Sequence, residues 1–432
     1  IPSIRHFSTM HEVSRFTSVQ AYDRLVAAGY LESRPGSGFY VTPRSTKFGR
    51  AEPTVKLDRA MDVLWLLRNA LNQPNLEAIP GAGWLPHDWM DTTGIQRSLR
   101  KLAQKPGRYL TEYGTPQGYP PLRQQLQQRL AGHQILTSAD QILLTTGATH
   151  ALDLIARYYI RPGDAVLVDD PGYFILYGTL KSYGAKIIGV PWNIDGPDTD
   201  RLEQLMKTHK PKLFFTNSIL HNPTGASISQ AVAYRLLRLA EDNDIVIIED
   251  DVFGDFHPGQ TTRLATLDQL KRVIYLGSFS KTISASMRVG FIAGCPDVVK
   301  QLTDLKLLSG ITTSEINERM IHQMLANGQY RKRLNGLHKR LQQCREQALD
   351  NFEKMQLTSY IEPEGGMFIW IKMPEHIDIV AMSNLAATRG IMLAPGNLFR
   401  PHQEPTQWMR FNVASCNETK HLAFIKKTVA DV

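Results

Sequence analysis

A lysine and an arginine seven residues apart set the chemistry to be explained. Lys281 closes the run Gly277-Ser278-Phe279-Ser280-Lys281, and Arg288 follows it. Taken singly, a lysine is most often a solvated surface residue. Held beside an aldehyde, its ε-amine can condense to a Schiff base. Ser278 and Arg288 suit a phosphate, the arginine through a charge-assisted bond of roughly 1.5–3 kcal/mol. Upstream stands Glu249-Asp250-Asp251. A carboxylate there, Asp250, aimed at a pyridine nitrogen would keep that nitrogen protonated and make the ring an electron sink.

Three further strings fit the same chemistry. In Thr146-Gly147-Ala148-Thr149-His150 the small residues leave backbone N–H groups open to a phosphate at a helix start. Asp169-Asp170-Pro171-Gly172-Tyr173 offers Tyr173, whose ring can stack on a planar cofactor. In His221-Asn222-Pro223-Thr224-Gly225, Asn222 can donate to a phenolic oxygen. Each has a plainer reading, as a strand-to-helix turn, a core aromatic or an ordinary Pro/Gly turn. No His/Cys/Asp cluster has metal-ligand spacing, so no metal is expected.

These strings need strands to carry them. Apolar runs at 142–145, 165–168, 213–216, 245–248, 273–276 and 291–293 read as strands, with helical patterns between several of them. That alternation predicts an α/β domain with a mostly parallel sheet. The motifs fall just past the runs, where such sheets gather their ligands.

The order GATH, DPGY, HNPTG, EDD, SFSK and a following arginine closely resembles fold type I pyridoxal-phosphate (PLP) enzymes of the aminotransferase class. The resemblance implies PLP as cofactor, held by Lys281, Gly147, Ala148, Thr149, Tyr173, Asn222, Asp250, Ser278, Ser280 and Arg288. It implies two more residues. Tyr113, in YGTPQG, would reach the phosphate of a neighbouring subunit in a homodimer. Arg410, in MRFNVA, would pair with a ligand α-carboxylate. One departure stands out: the family often has a tyrosine after the acidic pair, and here Val252 and Phe253 follow. Asn222 would then hold the cofactor O3′ alone, and weaker transaminase chemistry is expected.

Residues 1–50 carry seven basic residues against three acidic ones, half of the chain's net +8 in about an eighth of its length. A polyanion such as DNA is a natural partner. Ser3 can cap a helix Ile4–Met10, and Ser14 a second helix reaching about Ala28, with Tyr22, Leu25 and Val26 facing inward. Gly29 reads as its stop. Runs 30–34 and 39–42 flank Pro35-Gly36-Ser37-Gly38, a hairpin signal. The spelling SRFTSVQAYDRLVAAGYLESRPGSGFYV closely resembles the winged helix-turn-helix of GntR-type regulators, truncated at its start. By that resemblance Arg5, Ser14, Arg15, Thr17, Gln20 and Arg34 would face DNA.

The expected layout is α/β. A winged helix over 1–43 is followed by a linker over 44–54 and a fold type I aminotransferase-like domain over 55–432. The last has a large part at about 80–310 and a small C-terminal α+β part at about 311–432. Joined so, the chain resembles the MocR subfamily, which implies a DNA-binding regulator whose PLP domain senses an amino acid or amine. The rival is a working α-amino-acid aminotransferase with an accessory domain; a third reading makes residues 1–43 a protein-interaction module. Hydrophobic residues at 42% suffice for a large core, and 21% charged argues against disorder. No apolar run of about 18 residues suggests a membrane span. Cys295, Cys344 and Cys416 make no disulfide framework, which with the missing secretion signal predicts a cytoplasmic protein.

Overall fold

The computed structural model describes residues 1–28, 30–42, 78–326 and 328–430. The expected linker 44–54 and the helix stop at Gly29 lie outside them. Two compact units result, Ile1–Asp58 and Arg59–Val432.

In the first unit, helix α1 (Ile4–Met10) is capped by Ser3, which accepts from His6 N–H, and α2 (Arg15–Ala27) by Ser14, which accepts from Thr17 N–H. A buried hydrogen bond of 2.8 Å from Ser8 Oγ to Ser18 Oγ ties the helices together. Strands β1 (Leu31–Arg34) and β2 (Gly38–Val41) pair antiparallel as a hairpin. Tyr22 is the hub: its ring meets Phe7 and Phe39 edge-on, at 5.6 and 5.0 Å, and its hydroxyl donates to Pro2 O. Leu25 does not face inward as expected but is 41% exposed. It sits about 60° round the helix from Tyr22, on a side that α1 and the hairpin do not cover.

The second unit is built on an eight-stranded sheet of order β3-β10-β9-β8-β7-β4-β5-β6. Its strands are β3 (Ile142–Thr145), β4 (Ala165–Asp170), β5 (Lys186–Asn193), β6 (Gly196–Pro197), β7 (Leu213–Thr216), β8 (Val246–Asp250), β9 (Val273–Ser278) and β10 (Gly290–Ala293). Strands β5, β4, β7, β8 and β9 run parallel in turn, whereas β10 is antiparallel to both β3 and β9. Every residue of β7 is buried, as a parallel sheet covered on both faces requires. Phe214, Ile247 and Val273 pack into one core, and Phe215, Ile248 and Ile274 into another, following the two-residue alternation of a strand.

The structure extends β4, β8 and β9 two residues past the expected ends. Ladder pairing continues into the motifs themselves, Asp170 opposite Pro191 and Asp250 opposite Leu276, so the site residues are held by the sheet. Strand β5 was not anticipated from the sequence, where Gly189 and Pro191 interrupt its apolar pattern. A smaller sheet of order β11-β12-β14-β13 comprises β11 (Thr358–Ser359), β12 (Phe368–Lys372), β13 (Ala394–Pro395) and β14 (Trp408–Asn412). With the helix Gln329–Glu353 it forms the C-terminal α+β part.

Candidate active site

The C-terminal ends of the parallel strands open into one cavity of about 370 Å³. Ala148, Thr149, Tyr173, Asn222, Asp250, Ser278, Ser280, Lys281, Arg288 and Arg410 all line it. Residues spread over 260 positions of sequence thus meet in one place.

The phosphate end forms where β3 turns into the helix Gly147–Tyr159, whose first turn contains Gly147, Ala148 and Thr149. Gly147 has φ +77, and a Cβ on it would lie 2.6 Å from Arg288 Nη2, so a side chain there would drive the guanidinium away. Arg288 donates to Ser280 Oγ at 3.2 Å and to Thr146 O at 3.3 Å, and Ser278 Oγ donates to Ser280 Oγ at 3.0 Å. Two hydroxyls, one guanidinium and a helix start therefore share one corner, which is the donor set a phosphate needs.

The acidic triplet divides its labour. Glu249 faces away, accepting from Ser218 Oγ and from the backbone N–H groups of Leu264 and Ala265. Asp251 is buried against Arg263 and the Tyr275 hydroxyl. Asp250 alone faces the cavity, where burial raises its carboxyl to about 7. Asn217, one residue past β7, fixes this layout. Its Nδ2 donates to Asp250 O at 2.7 Å, its Oδ1 accepts from Asn222 N–H at 2.7 Å, and its own N–H donates to Asp169 Oδ2 at 2.8 Å. Burial also raises Tyr173 to about 12, keeping its hydroxyl protonated.

At the other end, Lys281 Nζ donates to Gly83 O at 2.5 Å. Burial, then the charge of Arg410, lowers this amine to about 8. Arg410 is 4% exposed, donates to Asn222 Oδ1 and Gly81 O at 2.7 Å each, and has no acidic partner among the described residues. Burial lowers it to about 9. Asn412, two residues on, donates to Ala82 O and Trp84 O. The four carbonyls of 81–84 are thus all held by side chains of the site.

Sequence reading did not foresee Gly81, Gly83, Trp84 or Asn217, although the glycine pair in Gly81-Ala82-Gly83 was a signal for close backbone approach. Tyr113 is not brought into the cavity: it is 78% exposed. Phe253 lines the cavity with its ring edge-on to Phe368 at 5.1 Å, so the position after the acidic pair carries no hydroxyl. The six residues expected to face DNA belong to the first unit and are all exposed. There Ser14 caps α2, and Arg34 lies 3.3 Å from Glu32.

A family model described as aminotransferase class I and II matches residues 83–427. The chain belongs to the aminotransferase class I and II family. This aminotransferase-family chain is 27% identical to the uncharacterised HTH-type transcriptional regulator YisV of Bacillus subtilis, over 97% of the chain and 88% of that protein. It is also 27% identical to the 2-aminoadipate transaminase of Thermus thermophilus, over 82% of the chain and 88% of that protein. Among solved structures, the Pyrococcus horikoshii kynurenine aminotransferase superposes with a TM-score of 0.78 at 27% identity, covering 85% of this chain and 93% of that one.

The cofactor of this family member is pyridoxal phosphate, and the residues fit it. Ser278, Ser280, Arg288 and the helix start would take the phosphate, Asp250 the ring nitrogen, Asn222 the phenolic oxygen and Lys281 the aldehyde carbon. When bound, the group supplies an electron-withdrawing ring conjugated to its aldehyde carbon.

In the cofactor-free protein Asp250 has a measurable signature. Its folded-state value lies near 7, above the ordinary carboxylate range. Between about pH 4 and about pH 7 the native state therefore holds a proton that the unfolded chain has lost. The stability from this group falls as pH rises through that window and is flat above it. Asp250→Asn removes the titration, so the variant's Tm minus that of the wild type should climb from pH 4 to 7. Parallel Tm–pH curves would show that Asp250 is not held protonated.

Proposed function

We propose that the protein is a PLP-dependent transcriptional regulator, which binds DNA through its first unit and senses an amino acid or amine in the cavity of its second. The observation that carries this reading is the reach of the match: similarity to a helix-turn-helix regulator extends over 97% of the chain, against 82% for the transaminase. A catalyst has no use for a capped helix pair and hairpin with Arg5, Arg15, Gln20 and Arg34 exposed. In this reading α2 enters the major groove, Arg15 and Thr17 at its start meet phosphates and Gln20 reads a base edge. The protein works in the cytoplasm as a homodimer, with Tyr113 reaching the partner's phosphate site.

Sensing needs a ligand that binds two states differently. Arg410 and Lys281 supply the difference. A ligand carboxylate on Arg410 competes with Gly81 O and Asn222 Oδ1. Lys281 would leave Gly83 O on bonding the cofactor, and would be freed to donate to it again when a ligand amine takes its place. Occupancy thus changes the hold on residues 81–84.

The opposing reading is a functioning transaminase, favoured by the meeting of Lys281, Asp250 and Arg410 in one cavity. Turnover of an amino donor with a keto acid, measured beside affinity for its own promoter DNA, separates the two. Slow or absent turnover with tight DNA binding is expected; fast turnover without DNA binding would reverse the assignment. Arg15→Ala should weaken DNA binding uniformly across sequences and reduce the slope of log affinity against log salt by about 1. An unchanged slope would remove Arg15 from the interface.

A further inference from the structure

Away from the cavity, a second lysine is buried. Lys306, on the helix Pro296–Gly310, is 1% exposed. Its Nζ donates to Pro116 O and Leu144 O at 2.8 Å each and to Thr313 Oγ1 at 3.1 Å. Thr313 in turn donates to Glu318 Oε1, and Glu318 Oε2 accepts from Tyr119 N–H at 2.8 Å. Glu318 is buried as well. Taking an ammonium and a carboxylate out of water is costly unless their hydrogen bonds are replaced. Here all three hydrogens of the one and both oxygens of the other are engaged. Neither group lines the cavity, so the cofactor site itself does not explain them.

What these bonds hold is one loop. Residues 111–119 read TEYGTPQGY and carry Tyr113. Strand β3 lies at the edge of the large sheet, where outward backbone groups need partners. On that edge Leu144 N–H donates to Gln117 O at 2.8 Å, and Leu144 O is taken by Lys306. Gly118, at φ +98, lets the loop close on the strand, since a Cβ there would lie 2.5 Å from Leu144 Cβ. By bonding one carbonyl of each, Lys306 ties the loop to the strand that runs into the phosphate corner. Three residues before Pro116, Tyr113 stands 78% exposed, and Leu308, two residues after Lys306, is equally exposed. The anchor is buried while the ring it carries faces outward.

We infer that Lys306, acting with Thr313 and Glu318, is a positioning residue that sets Tyr113 for the cofactor phosphate of the partner subunit, so that a group buried in one chain governs cofactor retention in the other. The inference rests on the proposed reach of Tyr113 across the homodimer. A tyrosine on an untethered loop would have to be ordered as it met the phosphate, which weakens the contact. With the loop held at Pro116 and Tyr119, that ordering is complete in the folded chain.

Mixed dimers test this. Two differently tagged chains are co-expressed, one carrying Lys281→Ala, so that a single Schiff-base lysine remains in each dimer. The dimer is stripped, titrated with pyridoxal phosphate, fixed with borohydride and read by the mass of the chain that keeps Lys281. With Lys306→Met on the Lys281→Ala chain, the half-saturating concentration should rise about 10- to 100-fold, as it should with Tyr113→Phe there, because a hydrogen bond to a charged group is lost. With Lys306→Met on the chain that keeps Lys281, it should stay within about 3-fold of the unsubstituted mixed dimer. Thr313→Val removes one acceptor of Lys306 and keeps the side-chain shape. It should act in the same direction across the dimer, with a smaller effect, and it decides the matter if Lys306→Met chains do not assemble. A loss at least as large when Lys306→Met shares a chain with the intact Lys281 would overturn this inference alone. So would no loss in either arrangement while Tyr113→Phe weakens binding. Tyr113→Phe without effect, or chains that form no mixed dimers, would overturn the proposed reach of Tyr113 and this inference with it.

Discussion

Replacing Lys281 with alanine abolishes the Schiff base between the protein and its cofactor, and with it that Schiff base's visible absorption before any amine is added. Lys281 is the only primary amine lining the cavity among the described residues. Burial and the nearby Arg410 lower it to about 8. At pH 7.5 roughly a quarter of such amines are neutral, against about a thousandth for a solvated lysine, and only the neutral form can attack an aldehyde. No neighbouring residue can take over, because the serines and threonine at the phosphate corner are poor nucleophiles without an adjacent base. Borohydride reduction followed by mass spectrometry checks this. The wild type should gain the cofactor's mass on the peptide containing residue 281, and the variant should gain none. Adduct formation in Lys281→Ala at the wild-type level would show that another residue is the anchor.

Arg410→Gln has the second large effect, and it is selective. The amide can still donate to Asn222 Oδ1 or Gly81 O, but the charge that completes an α-carboxylate pair is gone. Loss of one partner from a buried charge-assisted pair costs about 2–5 kcal/mol, or roughly 30- to 5000-fold in amino-acid affinity. Amines without a carboxylate should bind within about 3-fold of wild type, since they never use the guanidinium. Stability should change little, because the variant also relieves the burial of an uncompensated cation. Spectral titration with an amino acid and its decarboxylated amine reads both numbers. Equal weakening of the two ligands would place Arg410 in a purely structural role.

The parts of this site that could be read from sequence share one property: each lies in a contiguous string at the end of an apolar run. Lys281, Asp250 and Asn222 are of this kind, because a parallel sheet delivers its strand ends to one edge whatever the order of strands. Which acid of Glu249-Asp250-Asp251 faces the ligand follows from strand alternation once Asp250 is in register with Leu276. Arg410 carries no such local signal, being the third residue of an antiparallel strand in the smaller sheet, and only family resemblance pointed to it. Residues 81–84 escaped notice because they act through backbone carbonyls, which leave little mark on side-chain identity, and Asn217 because its side chain bonds backbone groups of segments distant in sequence. Leu25 was misplaced for a related reason, since helical spacing gives the face of a helix but not what covers it.

The central claim is that one chain couples ligand capture at Lys281 to DNA affinity. The most direct measurement is the affinity of the cofactor-loaded protein for its own promoter DNA, by fluorescence anisotropy at fixed salt, with and without a saturating amino acid. The account predicts a shift of about 5- to 150-fold, corresponding to a coupling of about 1–3 kcal/mol, in the wild type and none in Lys281→Ala. A wild-type protein whose visible spectrum saturates with ligand while its DNA affinity stays fixed would contradict it.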